Sequence, residues 1–450
     1  MQDKEHHPTM RTSRILLSST ALTLALALTL AGCSNTADGT AIAEGAATGT
    51  GTSDTAATFD TAGTFDTESL DTGAYNTEPR DFIDEGQSAG DFGPAVEGQR
   101  MAEFVIHPYT IDSTLTTGGG MATGVGVGGI GKVLSGGGAD DVAKSFGVIT
   151  GFGSFASNPD DSRQLGVAVW RFPDTDSAAQ AATALHANAL TPEDVGFSSG
   201  PQTPASIPQL PGTLASTYYF DGIDTASMST FTARGPHVVY TYTSAEENDI
   251  AWNSDVTARA VEAQLPLIDR FPFSPTDEIE SLPVDLDKVL ARAVGFVENE
   301  YARNSDTAVY GPLGWLHFDS HPAETAALFE ASGADRIALA NSTVYRTSGP
   351  EAAEELRDAF VEQTLDSYPD LVDEPAPQSV PGTVCLAGDT AQGRVMDCMM
   401  TYGPYVAQVQ GHRSVGNTDP DSDTLRTVPQ RVAAQYVKFV RAEEKGLGEN

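Results

Sequence analysis

Ala233-Arg234-Gly235-Pro236-His237-Val238 and Thr401-Tyr402-Gly403-Pro404-Tyr405-Val406 are the same turn written twice, once in each half of the chain. Upstream of each lies a second match, Val169-Trp170-Arg171 with Val344-Tyr345-Arg346, and each of these leads into a helical pattern. Further upstream, Gly151-Phe152-Gly153-Ser154-Phe155-Ala156-Ser157-Asn158-Pro159 aligns with Gly314-Trp315-Leu316-His317-Phe318-Asp319-Ser320-His321-Pro322. Three matches in one order, at offsets differing by a few residues, indicate a duplicated unit.

Each copy reads alike. Gly166 to Phe172 alternates as a strand and is followed by a helix capped at Asp176 or Ser177, with Ala178, Ala181, Ala182, Leu185 and Ala189 on one face. The second copy places Ser348 or Gly349 at the cap, Pro350 in the first turn, and Ala352, Leu356, Ala359 and Phe360 inward. Three strands follow, at 216–220, 228–233 and 237–243, then at 383–386, 394–401 and 405–410. A closing helix carries Val261, Leu265 and Ile268, or Val432, Tyr436 and Phe439; Pro266 kinks or ends the first. Further helices are expected over 99–106 and 285–297. The fold class is therefore α+β: two tandem duplicated domains, 70–272 and 273–442, each an antiparallel sheet with helices on one face. A disordered tail, 443–450, closes the chain.

The chain ahead of this body reads as an address. Arg11 and Arg14 precede an apolar run from Ile15 to Leu30, and Leu30-Ala31-Gly32-Cys33 ends it. A basic flank, a short apolar core and small residues before a cut site form a secretory signal over 1–32. The form resembles a bacterial lipoprotein signal, and that resemblance implies that Cys33 is acylated and becomes the N-terminus. Met10 is an alternative start, and cleavage removes His6 and His7 either way. Residues 33–69, rich in Ala, Gly, Thr, Ser and Asp, read as a flexible, disordered tether. Within it Phe59-Asp60-Thr61 and Phe65-Asp66-Thr67 form a short repeat, echoed by Leu70-Asp71-Thr72-Gly73.

Composition narrows the partners. The 450 residues carry 62 acidic and 25 basic side chains, a formal charge of −37. Such a surface repels phosphate backbones and excludes nucleic-acid binding. Gly126-Val127-Gly128-Gly129-Ile130-Gly131-Lys132 has the letters of a nucleotide loop. It lacks an evident preceding strand and has Val133 where Ser or Thr is needed, so no nucleotide is expected. No later apolar stretch has the length of a membrane span. With Cys33 lipidated, Cys385 and Cys398 remain as a pair in an oxidising compartment and are expected to bond. They fall on consecutive strands, within bridging reach.

Leu30 to Cys33, Leu70-Asp71-Thr72-Gly73-Ala74-Tyr75-Asn76-Thr77-Glu78-Pro79-Arg80, Val309-Tyr310-Gly311-Pro312 and the 385–398 hairpin leading to Thr401-Tyr402-Gly403 together carry a resemblance. They resemble the uncharacterised lipoproteins of mycolate-bearing actinobacteria, a domain-of-unknown-function family. The resemblance implies a cell-envelope address and no assigned activity.

Candidate chemistry is sparse. His317, Asp319 and His321 would share a face on a strand and could hold zinc or iron. The aligned positions Ser154, Ala156 and Asn158 carry no ligands, and His321 before Pro322 also suits a helix cap. Asn417, Asp419, Asp421 and Asp423 suggest a calcium loop, but Thr424 and Gln430 break the EF-hand pattern. There is no GxSxG. His107, His186, His237 and His412 have no nucleophile nearby in sequence, and Trp170, Trp315 and Tyr345 read as core residues on strands. The expectation is an extracytoplasmic, non-enzymatic protein without cofactor, anchored through Cys33, that binds an envelope protein or lipid in the cleft between the copies. A metal-dependent hydrolase using His317, Asp319 and His321, and a carrier of apolar envelope lipid, are the alternatives.

Overall fold

A computed structural model describes residues 65–79, 89–118, 130–134, 137–191, 201–220, 222–297, 300, 307–416 and 423–447. Cys33, the signal stretch, Gly126–Gly129, Asn417, Asp419 and Asp421 lie outside the described residues. In the first half, helices α1 (Gly93–Met101) and α2 (Pro108–Ile111) precede β1 (Thr117–Gly118). Then come α3 (Ile130–Leu134), α4 (Ala139–Ser145), β2 (Thr150–Ser157), β3 (Arg163–Arg171) and α5 (Thr175–Leu190). The half closes with β4 (Thr203–Ala205), β5 (Leu214–Tyr219), β6 (Thr225–Arg234), β7 (His237–Glu246) and α6 (Ile250–Ile268). The second half repeats the order from its first strand: β8 (Ala308–Tyr310), α7 (Pro312–Leu316), α8 (Pro322–Ser332), β9 (Arg336–Leu339), β10 (Thr343–Arg346) and α9 (Pro350–Ser367). It ends with β11 (Val372–Glu374), β12 (Thr383–Thr390), β13 (Gly393–Tyr402), β14 (Tyr405–Ser414) and α10 (Val428–Glu444).

Each half is one seven-stranded antiparallel sheet, ordered β1-β2-β3-β7-β6-β5-β4 and β8-β9-β10-β14-β13-β12-β11 from the matching edges. The duplication holds to the register: Arg171 faces His237 and Arg346 faces Tyr405, while Arg234 faces His237 and Tyr402 faces Tyr405. Gly235 and Gly403 take the same φ of 53°, which glycine accepts readily at the first position of a two-residue hairpin loop. The Phe172 N–H donates to Pro236 O and the Thr347 N–H to Pro404 O, both at 2.8 Å.

The helices do not share one face. Leu165, Val167 and Val169 of β3 pack with Val256 and Ala260 of α6, whereas Ala168 and Trp170 pack with Ala178, Ala182 and Leu185 of α5. In the second half, Val344, Cys398 and Met400 meet Val432 and Phe439 of α10, and Tyr345, Met399 and Val406 meet Leu356 and Phe360 of α9. Successive strand residues point to opposite faces, so each sheet is buried on both sides between helices. The apolar run Val167-Ala168-Val169-Trp170 reflects two buried faces.

Other local expectations need revision. Asp174, whose carboxylate accepts the Ser177 N–H at 2.7 Å, caps α5 in place of Asp176 or Ser177. The helix expected over 99–106 ends at Met101 and gives way to a 3-10 turn, Ala102–Phe104, and extended backbone. The helix expected over 285–297 is absent. The Asp285 carboxylate accepts the Leu290 and Ala291 N–H groups, and Asp287 and Lys288 turn through positive φ. Val289, Leu290 and Ala293 are buried as their spacing suggested, but from short 3-10 turns.

The aligned stretches 151–159 and 314–322 are not equivalent. The first is strand β2, while the second spans α7, a turn and the start of α8; the structural counterpart of β2 is β9. Residues 271–274 fold back on the first half, where Phe271 joins its core and Ser274 binds Glu97, so the division between halves falls later than 272.

The segment at 65–79 packs on the second half. Leu70 enters that core, Asp71 N–H donates to Gln378 Oε1 at 2.7 Å, and Gln378 Nε2 donates back to Asp71 O at 2.9 Å. Gly73 has φ of 56°, and a Cβ there would lie 2.5 Å from Gln430 Oε1. Tyr75 is buried with Val294 and Ala434 and donates to Glu300, and Glu78 pairs with Arg441 and Lys445 at 2.8 and 2.6 Å. This accounts for Leu70-Asp71-Thr72-Gly73-Ala74-Tyr75 and moves it from the first domain to the second.

Cys385 and Cys398 are directly opposed on β12 and β13 and are bonded, 13 residues apart in sequence. The first half has Ala215 opposite Thr230 there, and Thr230 Oγ1 bonds Thr241 Oγ1 at 2.5 Å instead. The Cys385→Ala/Cys398→Ala variant is expected to lose about 3 kcal/mol, the chain-entropy value for so short a loop. Urea midpoints of the two proteins check this, and coincident midpoints would show that the bridge adds nothing.

Candidate functional site

Two places concentrate unusual side chains: the seam between the halves and a groove on the second. The seam is built by α1, the 3-10 turn and α2 on one side and by β8 and α7 on the other. Ala308 and Tyr310 join the core of Met101, Ala102, Phe152 and Leu165. Glu103 sends its carboxylate to the Gly314 N–H at the start of α7. A Cβ at Gly311 would lie 2.6 Å from Glu103 Oε1, and one at Gly314 2.9 Å from it, so both glycines of the 310–314 stretch are needed for this approach.

His317 follows α7, not a strand. It is buried, bonds Ala102 O through Nε2 at 3.0 Å, and stacks on His107 with ring centroids 3.9 Å apart. His107 Nε2 and His317 Nδ1 have no protein partner. Burial lowers His107 to about 4 and holds His317 well below the usual range, the latter also through the His107 ring beside it. Both rings are neutral at pH 7. They border a cavity of about 20 Å³ with Tyr109, Ser154, Asp319 and Pro322, enough for one water.

The three proposed ligands do not converge. Asp319 Oδ1 accepts the His321 N–H at 2.7 Å, and burial raises its carboxyl. His321 instead reaches Ser320 and Ser367. Among the described residues no three His, Cys, Asp or Glu side chains are placed to hold a metal. The alternation expected on a strand is lost because Pro312 opens a helix in its first turn. Trp315 accordingly lies on α7, whereas Trp170 and Tyr345 lie on strands in the core.

Of the remaining candidates, His237 and His412 each bury an Nε2 without a hydrogen-bond partner. His186 lies 3.2 Å from Ala215 O, His237 packs on Phe271 and Phe273, and Asp423 Oδ2 accepts from Arg413 Nε at 2.7 Å. Among the described residues the seam, offered as the ligand cleft, is packed by apolar side chains and holds a water-sized cavity.

One buried acid was missed by sequence. Asp397 on β13 accepts from Gln408 and Gln410 at 2.8 and 3.1 Å through Oδ2, while Oδ1 has no partner. Burial raises it to about 6. A raised folded pKa favours the fold below the unfolded value of 3.8, and that contribution is lost as pH rises through 6. Asp397→Asn is therefore expected to stabilise the protein by on the order of 2 kcal/mol at pH 8 and to change little at pH 4. Denaturant midpoints at the two pH values test this, and an equal effect at both would sink the titration account.

The larger concavity, about 260 Å³, lies beside the 402–405 turn. Pro350 and Glu354 of α9, Pro381 and Gly382 before β12, Tyr402 and Tyr436 line it. Tyr402 stacks on Phe439 and meets Tyr436 edge-on at 5.9 Å. The first half has Arg234 at the place of Tyr402, paired with Asp269, so this aromatic wall belongs to the second half.

Comparison with known proteins gives a family. A family model described as domain of unknown function (DUF7373), N-terminal, matches residues 84–284, and the corresponding C-terminal model matches 289–442. No curated protein matches the sequence. The extracellular domain of PknH from Mycobacterium tuberculosis is 15% identical, over 29% of this chain and 70% of that one, with a TM-score of 0.23. The immunity protein TplEi of the T6SS from Pseudomonas aeruginosa is 12% identical, over 62% and 93%, with a TM-score of 0.19. Likenesses this slight bear on neither fold nor function. The two family models fall in order, one on each seven-stranded sheet, and the chain belongs to the DUF7373 family, whose function is unknown.

Proposed function

We propose that this chain is an extracytoplasmic, non-enzymatic binding protein, held at the membrane by lipid on Cys33, that engages an envelope partner through the Tyr402–Tyr436 groove. The observation that carries the anchoring is the stretch from Arg11 to Cys33, a basic flank, an apolar run and a small-residue cut site. Two or more acyl chains make such attachment stable. The binding reading is supported by the groove, which pairs aromatic faces with a few polar groups, as ligand sites do. Among the described residues no helix is long and apolar enough to cross a membrane. The groove has room for a side chain or a small ring, which does not favour the lipid-carrier alternative.

Membrane fractions of an actinobacterial host test the anchor. The mature N-terminal peptide is expected to begin at Cys33 with added acyl mass, and Cys33→Ser is expected to release the protein to the medium. An unmodified peptide, or a Cys33→Ser protein still in the membrane fraction, would overturn this reading. The groove is tested by photocrosslinking from position 354 in cells: a specific envelope adduct is expected, and it should vanish in Tyr402→Ala.

A further inference from the structure

The groove lies where the tether meets the body. Phe65, the first described residue, sets its ring edge-on against Tyr436, with centroids 5.5 Å apart and planes at 83°. Asp66 accepts the Glu68 N–H at 3.1 Å and so caps the turn that carries the chain from the aromatic wall toward Leu70. Phe65-Asp66-Thr67 is thus already used as a docking unit on a residue that lines the groove. The same triplet, Phe59-Asp60-Thr61, occurs six residues upstream, outside the described residues.

We propose that the Tyr402–Tyr436 groove is the docking site for Phe59-Asp60-Thr61 of the same chain, so that the tether competes with the external partner for this surface. The proposal rests on the groove being the binding surface and adds its regulation. Two observations carry it. The chain leaves the described body at the groove's own wall, so residues 59–61 lie within about 20 Å of it even when fully extended. The groove's volume and its aromatic and proline lining suit one phenyl ring with its neighbours. A segment joined by so short a linker competes at an effective concentration in the millimolar range.

The test uses the full chain in detergent, labelled with 3-fluorotyrosine, with the Tyr402 and Tyr436 resonances assigned from Tyr→Phe variants. Phe59→Ala is expected to shift both resonances, and the peptide Ala-Thr-Phe-Asp-Thr-Ala added to that variant is expected to return them toward the wild-type positions. Phe65→Ala is the positive control, since the Phe65 ring touches Tyr436. If Phe59→Ala leaves both resonances in place while Phe65→Ala moves Tyr436, the docking is wrong. A shift that the peptide cannot reverse at millimolar concentration also overturns it, because it would reflect a change in the tether and not occupancy of the groove. The readout needs no external partner, so failure here is distinct from failure of the binding reading, which the crosslinking experiment decides.

Discussion

Glu97→Gln is expected to destabilise the first half by about 3–5 kcal/mol, the usual loss when one member of a buried ion pair is removed. Glu97 is 0% exposed and Arg171 2%. Glu97 Oε1 receives Arg171 Nη1 at 2.5 Å and the Ser274 N–H at 2.8 Å; Oε2 receives Arg100 Nη1 at 2.6 Å and Ser274 Oγ at 3.1 Å. The cluster joins α1 to the end of β3 and to the returning segment at 271–274. Removing its charge leaves a buried guanidinium whose charged form burial already disfavours. Adding Arg171→Met should restore much of the loss, because most of it is the unpaired cation.

The counterpart Arg346 gives the contrast. It pairs with Asp335 and Asp287 at 2.8 and 3.3 Å, but Asp335 is 54% exposed, so Asp335→Asn should change stability by less than about 1 kcal/mol. Urea unfolding of the three variants checks the set. A Glu97→Gln midpoint close to wild type would show that the buried network has little net effect.

The second large effect is loss of stability in acid. His107, His237 and His317 are buried and neutral, with folded pKa values below the usual 6.5: His107 and His237 at about 4, and His317 held well below 6.5 by burial and by the His107 ring. A depressed folded pKa means the contribution is complete above 6.5 and is lost as pH falls through the folded value. For His107 alone this is about 2–3 kcal/mol by pH 4. Protonating either His107 or His317 places a charge in a stacked, desolvated pair that bridges the halves. The facing groups are Glu103, Tyr109 and Asp319, with Arg336 acting on Glu103. Burial raises Glu103, Asp319 and Asp397, so their protonation favours the fold as pH falls and offsets part of the loss. The histidine contribution is therefore isolated by comparing slopes. His107→Phe keeps a ring against His317 and removes one titrating site, and it is expected to lose about 2 kcal/mol less than wild type between pH 7 and 4. Parallel pH curves for the two proteins would show that His107 does not titrate in this range.

Much of the architecture was legible because duplication writes the same turn chemistry twice. The Gly-Pro hairpins, the Val-aromatic-Arg strands and the long helices were located within a few residues, since a two-residue loop and a period-two strand leave local marks. The paired cysteines were legible because consecutive strands oppose their side chains. The failures share one cause. Both faces of each sheet are covered, so strand alternation could not say where the helices lie. The spacing of Val289, Leu290 and Ala293 reported burial, which short turns fixed by Asp285 satisfy as well as a helix does. The match of 314–322 to 151–159 followed letters through a region where Pro312 starts a helix and β2 runs as a strand.

By itself the sequence determined the acidic character of the chain, the duplication and the strands that carry it, because composition and short-range periodicity are local properties. Only the tertiary structure decided that 65–79 belongs to the second half, that His107 meets His317, that Glu97 binds Arg171 and Ser274, and that Tyr402 and Tyr436 form a groove. These contacts join residues far apart in sequence. They are set by which surfaces two packed halves bury together, and no window along the chain contains that information.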